Sequence, residues 1–257
     1  MKEIKIVFFD IDGTLVDMDK KQISEKTLET LHRLKEKNVI LCIATGRPAL
    51  NLPVFKDLFD VFLTFNGSYC FNNEHIIFSN PLDKEDVQRI IKNATAIGRP
   101  VSVATKERMV SNGKDRDLID YYAFAKREVE VEDEFDVIAR QEVYQMMMGG
   151  REEEYSNILE GVQGARITAW WDRAVDIIPS DGGKGRGVEA ILEYYHLNKE
   201  DAVAFGDGNN DIELLQSVGH GVAMGNASER LKAVANDICG HVAEDGIYFY
   251  CVEHEWI

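Results

Sequence analysis

A chain of 257 residues, 45% of them hydrophobic, can bury a full core without covalent staples. Its formal charge of −16 excludes a general polyanion-binding surface, so neither nucleic acid nor an anionic membrane is an expected partner, and any local positive site gains weight. Cys42, Cys70, Cys239 and Cys251 make no CxxC or zinc spacing, the N-terminal apolar stretch is short and holds two aspartates, and no segment reaches bilayer-spanning length; these features predict a cytoplasmic protein with free thiols.

In chain order, the run Ile4 to Phe9 reads as a buried strand that delivers Asp10, Ile11, Asp12, Gly13 and Thr14. Alternation along a strand predicts Asp10 and Asp12 on one side, with Gly13 allowing a sharp turn. Two converging carboxylates at the end of a core strand raise a pKa or attract a cation. Ser24 is a candidate helix cap, followed by the stripe Leu28, Leu31 and Leu34 with Lys35 and Lys37 at the far end. A strand over 39–44 then ends in Thr45, Gly46 and Arg47, and another over 61–65 ends in Asn66, Gly67 and Ser68. This β-α-β-α-β order predicts a doubly wound parallel sheet with right-handed crossovers, an α/β Rossmann-like core. Asn72 and Asn73 between two apolar runs predict a hairpin.

From Asp83 the pattern changes. The spacing predicts a helix over 83–97, short strands near 101–104 and 108–111, a helix over 115–126, an exposed acidic stretch over 128–136, a strand over 143–148, a helix near 152–160, and strands over 166–170 and 174–178. Such a mixture predicts an α+β module inserted over 83–182, between a first core segment, 1–82, and a second, 183–257. Trp170 and Trp171 are expected to pack a sheet, Met146 to Met148 to form a strand of the module, and His220 to sit in a loop. After 183 the first pattern resumes: a helix with Val188, Ile191, Leu192 and Tyr195, a strand over 202–205 ending in Gly206, Asp207, Gly208, Asn209, Asn210 and Asp211, and a strand over 221–224.

Each parallel strand thus ends in a polar or glycine-rich loop, and ligands of open α/β sheets bind along that edge. Asp10, Asp12 and Asp207 offer hard oxygen donors suited to magnesium. Thr45 adds a hydroxyl, Gly46 lets backbone amides come close, and Lys184 at a helix start can neutralise a phosphoryl oxygen. The stretch from Asp207 does not fit a calcium loop, because its sixth and twelfth positions are Ile212 and Val218. GxxxxGK[ST] and GxGxxG phosphate motifs are missing as well.

In these residues the chain resembles the haloacid dehalogenase-like phosphatases. Asp10 to Thr14 match their first motif, Thr45 their second, Lys184 their third, with Gly183 where a small hydroxyl residue is more common, and Gly206 to Asp211 their fourth. The inserted module resembles the large cap of the Cof-type branch, as do Gly221 to Ala227 and Glu244 to Gly246. The resemblance implies a Mg2+-dependent phosphatase in which Asp10 is the nucleophile and Asp12 the acid and base. It also implies that Asp10, the Asp12 main-chain carbonyl and Asp207 hold the metal. Thr45, Gly46, Lys184 and Asn210 would hold the phosphoryl group, with Asp211, Arg47 and Asn66 in support. The implied substrate is a small phosphorylated metabolite, a sugar phosphate first, with flavin mononucleotide and pyridoxal phosphate as rivals. A phosphotransferase or sugar-phosphate mutase shares the same aspartyl phosphate. A non-catalytic binding protein usually lacks the nucleophile or the metal aspartate, and both are present here.

Overall fold

The computed structural model describes residues 4–125, 127–169 and 171–257. It divides into two compact units: Met1–Gly46, Pro53–Phe78 and Lys184–Ile257 form the first, and Arg47–Leu52 with Ser79–Gly183 the second.

The chain starts with β1 (Ile6–Phe9), whose four apolar side chains are all buried, as befits a strand covered on both faces. A small antiparallel hairpin of β2 (Val16–Asp17) and β3 (Gln22–Ile23) follows. Helix α1 (Glu25–Glu36) then begins where the Ser24 hydroxyl accepts the Thr27 amide at 3.0 Å, and it buries Leu31 and Leu34. Strands β4 (Ile40–Ala44) and β5 (Val61–Thr64) lie parallel to β1 in the sheet, and the hairpin β6 (Tyr69–Asn72) with β7 (Ile76–Ser79) closes one edge antiparallel.

In the inserted unit Asp83 caps α2 (Lys84–Ala96) through the amides of Glu85 and Asp86. Strands β8 (Val101–Ala104) and β9 (Met109–Ser111) precede α3 (Arg116–Phe124), capped by Asp115, and the short α4 (Phe135–Ile138). Then come β10 (Gln145–Gly149), α5 (Tyr155–Ile158), β11 (Ala165–Thr168) and β12 (Ala174–Pro179). The five strands form an antiparallel sheet in the order β11-β12-β10-β8-β9. Val101 and Val103, Met146 and Met148, and Val175 and Ile177 join one core with Val87, Ile90 and Ala94 of α2. This two-residue period shows that one face of the sheet is packed on the helices.

The methionines are therefore strand residues, as expected. The acidic stretch is not purely exposed: Phe135 and Ile138 bury under it as α4, and the Ser111 amide donates to Glu130 O. The ring of Trp171 meets Phe124 edge-on and takes the Arg173 guanidinium 4.2 Å from its centre. Trp170 and Lys126, at the ends of an expected strand and helix, lie outside the described residues.

Returning to the first unit, α6 (Lys184–Tyr194) leads to β13 (Ala202–Gly206), α7 (Ile212–Gln216), β14 (His220–Ala223), α8 (Glu229–Lys232), β15 (Asp237–Ile238) and α9 (Gly246–Glu253). The sheet order is β15-β14-β13-β1-β4-β5-β6-β7, parallel from β15 to β5. From β1 the chain winds one way through β4 and β5, and later the other way through β13 and β14. The switch point therefore lies between β1 and β13, where open sheets of this kind bind ligands. His220 is a strand residue rather than a loop residue: its ring Nε2 lies 2.7 Å from the Tyr250 hydroxyl of α9, beside Trp256. Among the described residues no helix is long and apolar enough to cross a membrane.

Candidate active site

Strand β1 ends at Phe9, so Asp10 and Asp12 both lie in the turn beyond it and strand alternation does not set their directions. Asp10 stays anchored to the sheet, because its amide donates to Phe205 O of β13 at 3.0 Å, and it is buried. The chain then turns tightly: the amides of Thr14, Leu15 and Val16 all point at Ile11 O, and the Gly13 amide donates to Val16 O. Gly13 adopts φ +87°, a conformation that strains residues bearing a Cβ. Asp12 is half-buried within this turn.

The adjacent strand end supplies the second part. Asp207 follows β13, and its Oδ1 accepts the Thr14 hydroxyl at 3.3 Å. Asp211 is fully buried and turns back so that its Oδ2 accepts the amides of Asp207 and Gly208 at 3.1 and 3.0 Å. Its Oδ1 accepts Lys184 Nζ at 2.5 Å, and the same ammonium donates to Asp10 Oδ1 at 2.7 Å. Lys184 opens α6 and is 1% exposed. Gly183 before it stands at φ +121°, so the residue that replaces the more common hydroxyl is one the backbone there accepts without strain.

The β4 and β5 ends complete the site. Thr45 is buried; its amide donates to Leu63 O and its carbonyl accepts the Asn66 amide. Asn66 sits in the left-handed region at φ 51°, which asparagine tolerates, and its Oδ1 accepts Asn210 Nδ2 at 3.2 Å. A methyl group on Gly46 would stand 2.9 Å from that same Oδ1, so Gly46 runs directly under Asn66. Arg47 belongs to the second unit, where it donates to Asn51 O.

The carboxylates of Asp10, Asp207 and Asp211 offer oxygens that all lie within 4.8 Å of one another. Among the described residues this is the one such acidic group, and Asp12 stands outside it. Burial pushes the Asp10 carboxyl up to about 7, against the pull of Lys184, with Asp211 pushing the same way. Burial, then the charges of Asp10 and Asp211, push Asp207 up to about 9. Burial alone would lower Lys184, but Asp10 and Asp211 outweigh it and hold the ammonium above the usual lysine range. One cation thus faces three carboxylates. The surplus negative charge fits a divalent cation. Asp211 has both oxygens engaged, whereas Asp10 and Asp207 each use one oxygen in these bonds and keep the other to ligate.

The cluster therefore gathers Asp10, Thr45, Gly46, Asn66, Lys184, Asp207, Asn210 and Asp211 at one sheet edge. Sequence reasoning missed three supports. Thr14 reaches Asp207; Asn226 Nδ2 donates to Gly13 O at 2.8 Å; and Ser228 donates its amide to Asp207 O and its hydroxyl to Asn209 Oδ1. The Gly225-Asn226 turn after β14 was a visible signal for the last two.

Residues 7–250 match the haloacid dehalogenase-like hydrolase family. The Bacillus subtilis (strain 168) protein YkrA, which carries a provisional phosphatase name, is 31% identical over 95% of both chains. The 5-amino-6-(5-phospho-D-ribitylamino)uracil phosphatase YitU of the same organism is 30% identical over 97% of both. Among solved structures, a haloacid dehalogenase subclass IIB sugar phosphatase, BT4131, superposes with a TM-score of 0.90 at 29% identity over 98% of this chain and 100% of its own. With its motifs gathered at the switch point of a doubly wound sheet and a matching relationship running the length of the sequence, the chain belongs to the haloacid dehalogenase-like hydrolases.

Proposed function

We propose that the protein is a magnesium-dependent phosphatase that hydrolyses phosphate monoesters of small metabolites, sugar phosphates first, through an aspartyl phosphate on Asp10. The observation that carries this reading is the buried Lys184 ammonium on Asp10 Oδ1 and Asp211 Oδ1, next to Asp207: a nucleophile held in place beside a charge surplus that suits a divalent cation.

In the first step the free oxygen of Asp10 attacks phosphorus, the ester P–O bond breaks, and the departing oxygen takes its proton from Asp12. In the second step Asp12 takes a proton from water, whose oxygen attacks the same phosphorus and releases the Asp10 carboxylate and inorganic phosphate. Thr45, Lys184 and Asn210 hold the phosphoryl oxygens. Asp211 keeps Lys184 aimed at Asp10 and, by accepting the amides of Asp207 and Gly208, closes the loop that carries Asp207. Held by Asp10, Asp207 and the Asp12 carbonyl, magnesium would offset the repulsion between carboxylate and phosphate. The two aspartates differ in environment: Asp10 lies within the buried carboxylate cluster, while Asp12 stands outside it and is half-buried.

The substrate class rests on relatives: the names of YitU and of the sugar phosphatase both describe small phosphorylated metabolites. In this reading the inserted unit chooses among them. The test is phosphate release from p-nitrophenyl phosphate and from a panel of phosphorylated metabolites, with magnesium and with chelator. Release that needs magnesium supports the reading. Formation of an isomeric sugar phosphate without free phosphate favours a mutase, and no turnover with any divalent cation would falsify the proposal.

A further inference from the structure

We infer that Asn226 is a positioning residue for Asp12, fixing from a third strand end the turn on which the proposed acid stands. The inference rests on the proposed role of Asp12.

The side-chain amide of Asn226 is used at both ends. Its Nδ2 donates to Gly13 O at 2.8 Å, and its Oδ1 accepts the Val242 amide at 3.0 Å. The assignment of oxygen and nitrogen follows from these partners, since a carbonyl can only accept and an amide can only donate. Asn226 itself comes from the turn after β14, where Gly225 donates its amide to Gly240 O at 3.0 Å. A methyl group on Gly225 would stand 2.8 Å from His241 N, so the two backbones are pressed together at this point. The amide thus hangs from the close approach of the loops after β14 and β15 and reaches the nucleophile turn.

What it holds there is specific. Asp12 is followed by Gly13, at φ +87°. The remaining backbone bonds of the turn run among Ile11, Gly13, Thr14, Leu15 and Val16, and so move with it. The Asn226 bond is different, because it ties the Gly13–Thr14 peptide to an element that does not move with the turn. The other half of that peptide belongs to Thr14, whose hydroxyl reaches Asp207 Oδ1 at 3.3 Å. Asn226 therefore sets the turn that carries Asp12 against the acidic cluster, while touching neither phosphate nor carboxylate. Loss of the bond should leave nucleophilic attack by Asp10 largely intact and misplace the proton donor.

Leaving groups test this directly, because general-acid assistance matters most when the departing oxygen is basic. Turnover of p-nitrophenyl phosphate and phenyl phosphate is compared in the full-length wild-type protein, in Asn226→Ala, and in Asn226→Asp, which keeps the acceptor for Val242 and loses the donor to Gly13. We expect both variants to lose at least about tenfold more kcat/KM on phenyl phosphate than on p-nitrophenyl phosphate, because kcat/KM ends at departure of the alcohol and does not include the later step in which Asp12 serves as base. The shared result from Asn226→Asp separates loss of the Gly13 bond from loss of the Val242 bond, and it stands if Asn226→Ala does not fold. Equal losses on the two esters, or no loss, overturn the inference while leaving the phosphatase reading intact. A wild-type protein that releases no phosphate from either ester overturns both.

Discussion

Gly13 and Asp207, 194 positions apart in sequence, approach so closely that a methyl group on Gly13 would lie 2.2 Å from Asp207 Oδ2. The contact sets two independent demands on position 13: room for the carboxylate and a left-handed backbone. Gly13→Ala breaks both. It is expected to displace Asp207 and weaken magnesium binding at least about tenfold, with an added backbone strain of about 1 kcal/mol or more. Isothermal titration with magnesium, alongside urea unfolding, checks the two effects separately.

Asp10→Asn removes the proposed nucleophile and keeps the shape of the side chain. Turnover is expected to fall by more than about a thousandfold, by analogy with removal of other enzymic nucleophiles, with the circular dichroism spectrum unchanged. Hydrolysis at a rate near wild type would contradict attack by Asp10.

Lys184→Met deletes the one ammonium buried among the carboxylates. Breaking such a pair leaves buried charge uncompensated and should cost about 3–5 kcal/mol at pH 8 without metal. The deficit is expected to shrink at pH 5, where Asp10, with its carboxyl pushed up to about 7, is protonated. Unfolding curves at the two pH values measure this.

The same two carboxyls fix a pH dependence for the wild-type protein. Their folded values lie above the ordinary 3.8, so the folded state binds more protons than the unfolded chain in the intervening range. Their contribution to stability is therefore complete below about 3.8 and is lost as pH rises through about 7 and about 9. Metal-free protein should lose Tm between pH 5 and 9. Saturating magnesium should remove most of that loss, and its affinity should rise over the same interval. A metal-free Tm that climbs across this range would contradict the assignment.

Gly187→Ala tests the scaffold apart from the chemistry. Its new methyl would stand 2.6 Å from Leu63 Cδ1 and 3.1 Å from Cys70 Sγ, where α6 presses on the sheet. Overpacking of this kind costs about 1–3 kcal/mol, read as a lower urea midpoint with an unchanged m-value.

The core was legible because its signals are long or repeated. Apolar strands ending in polar loops mark a sheet edge whatever their exact bounds, and the stripes of α1 and α2 show a helical period over three turns. The signal fails where elements are short. Helix α4 has four residues, two of them buried, and hides in a run of acidic side chains. Helix α9 is apolar on most sides, and so has no stripe to betray it. Asp10 and Asp12 seemed to follow strand alternation because the apolar run leads into them; the strand stops one residue earlier, and the turn's own hydrogen bonds decide where each points. The Gly225-Asn226 turn was visible in the sequence, but the roles of Asn226 and Ser228 depend on which distant residues they meet, and no local pattern encodes that.

The placement of β13 beside β1 has a consequence for synthesis in the cell. The proposed nucleophile is translated at position 10, while its counter-ion waits until position 184 and its partner carboxylates until 207 and 211. At ordinary elongation rates that interval lasts on the order of ten seconds or more. Throughout it β1 lacks its neighbour on one side, and Asp10 has no ammonium to accept from. In the proposed reading, a nascent chain therefore lacks the assembled site until the returning strand docks.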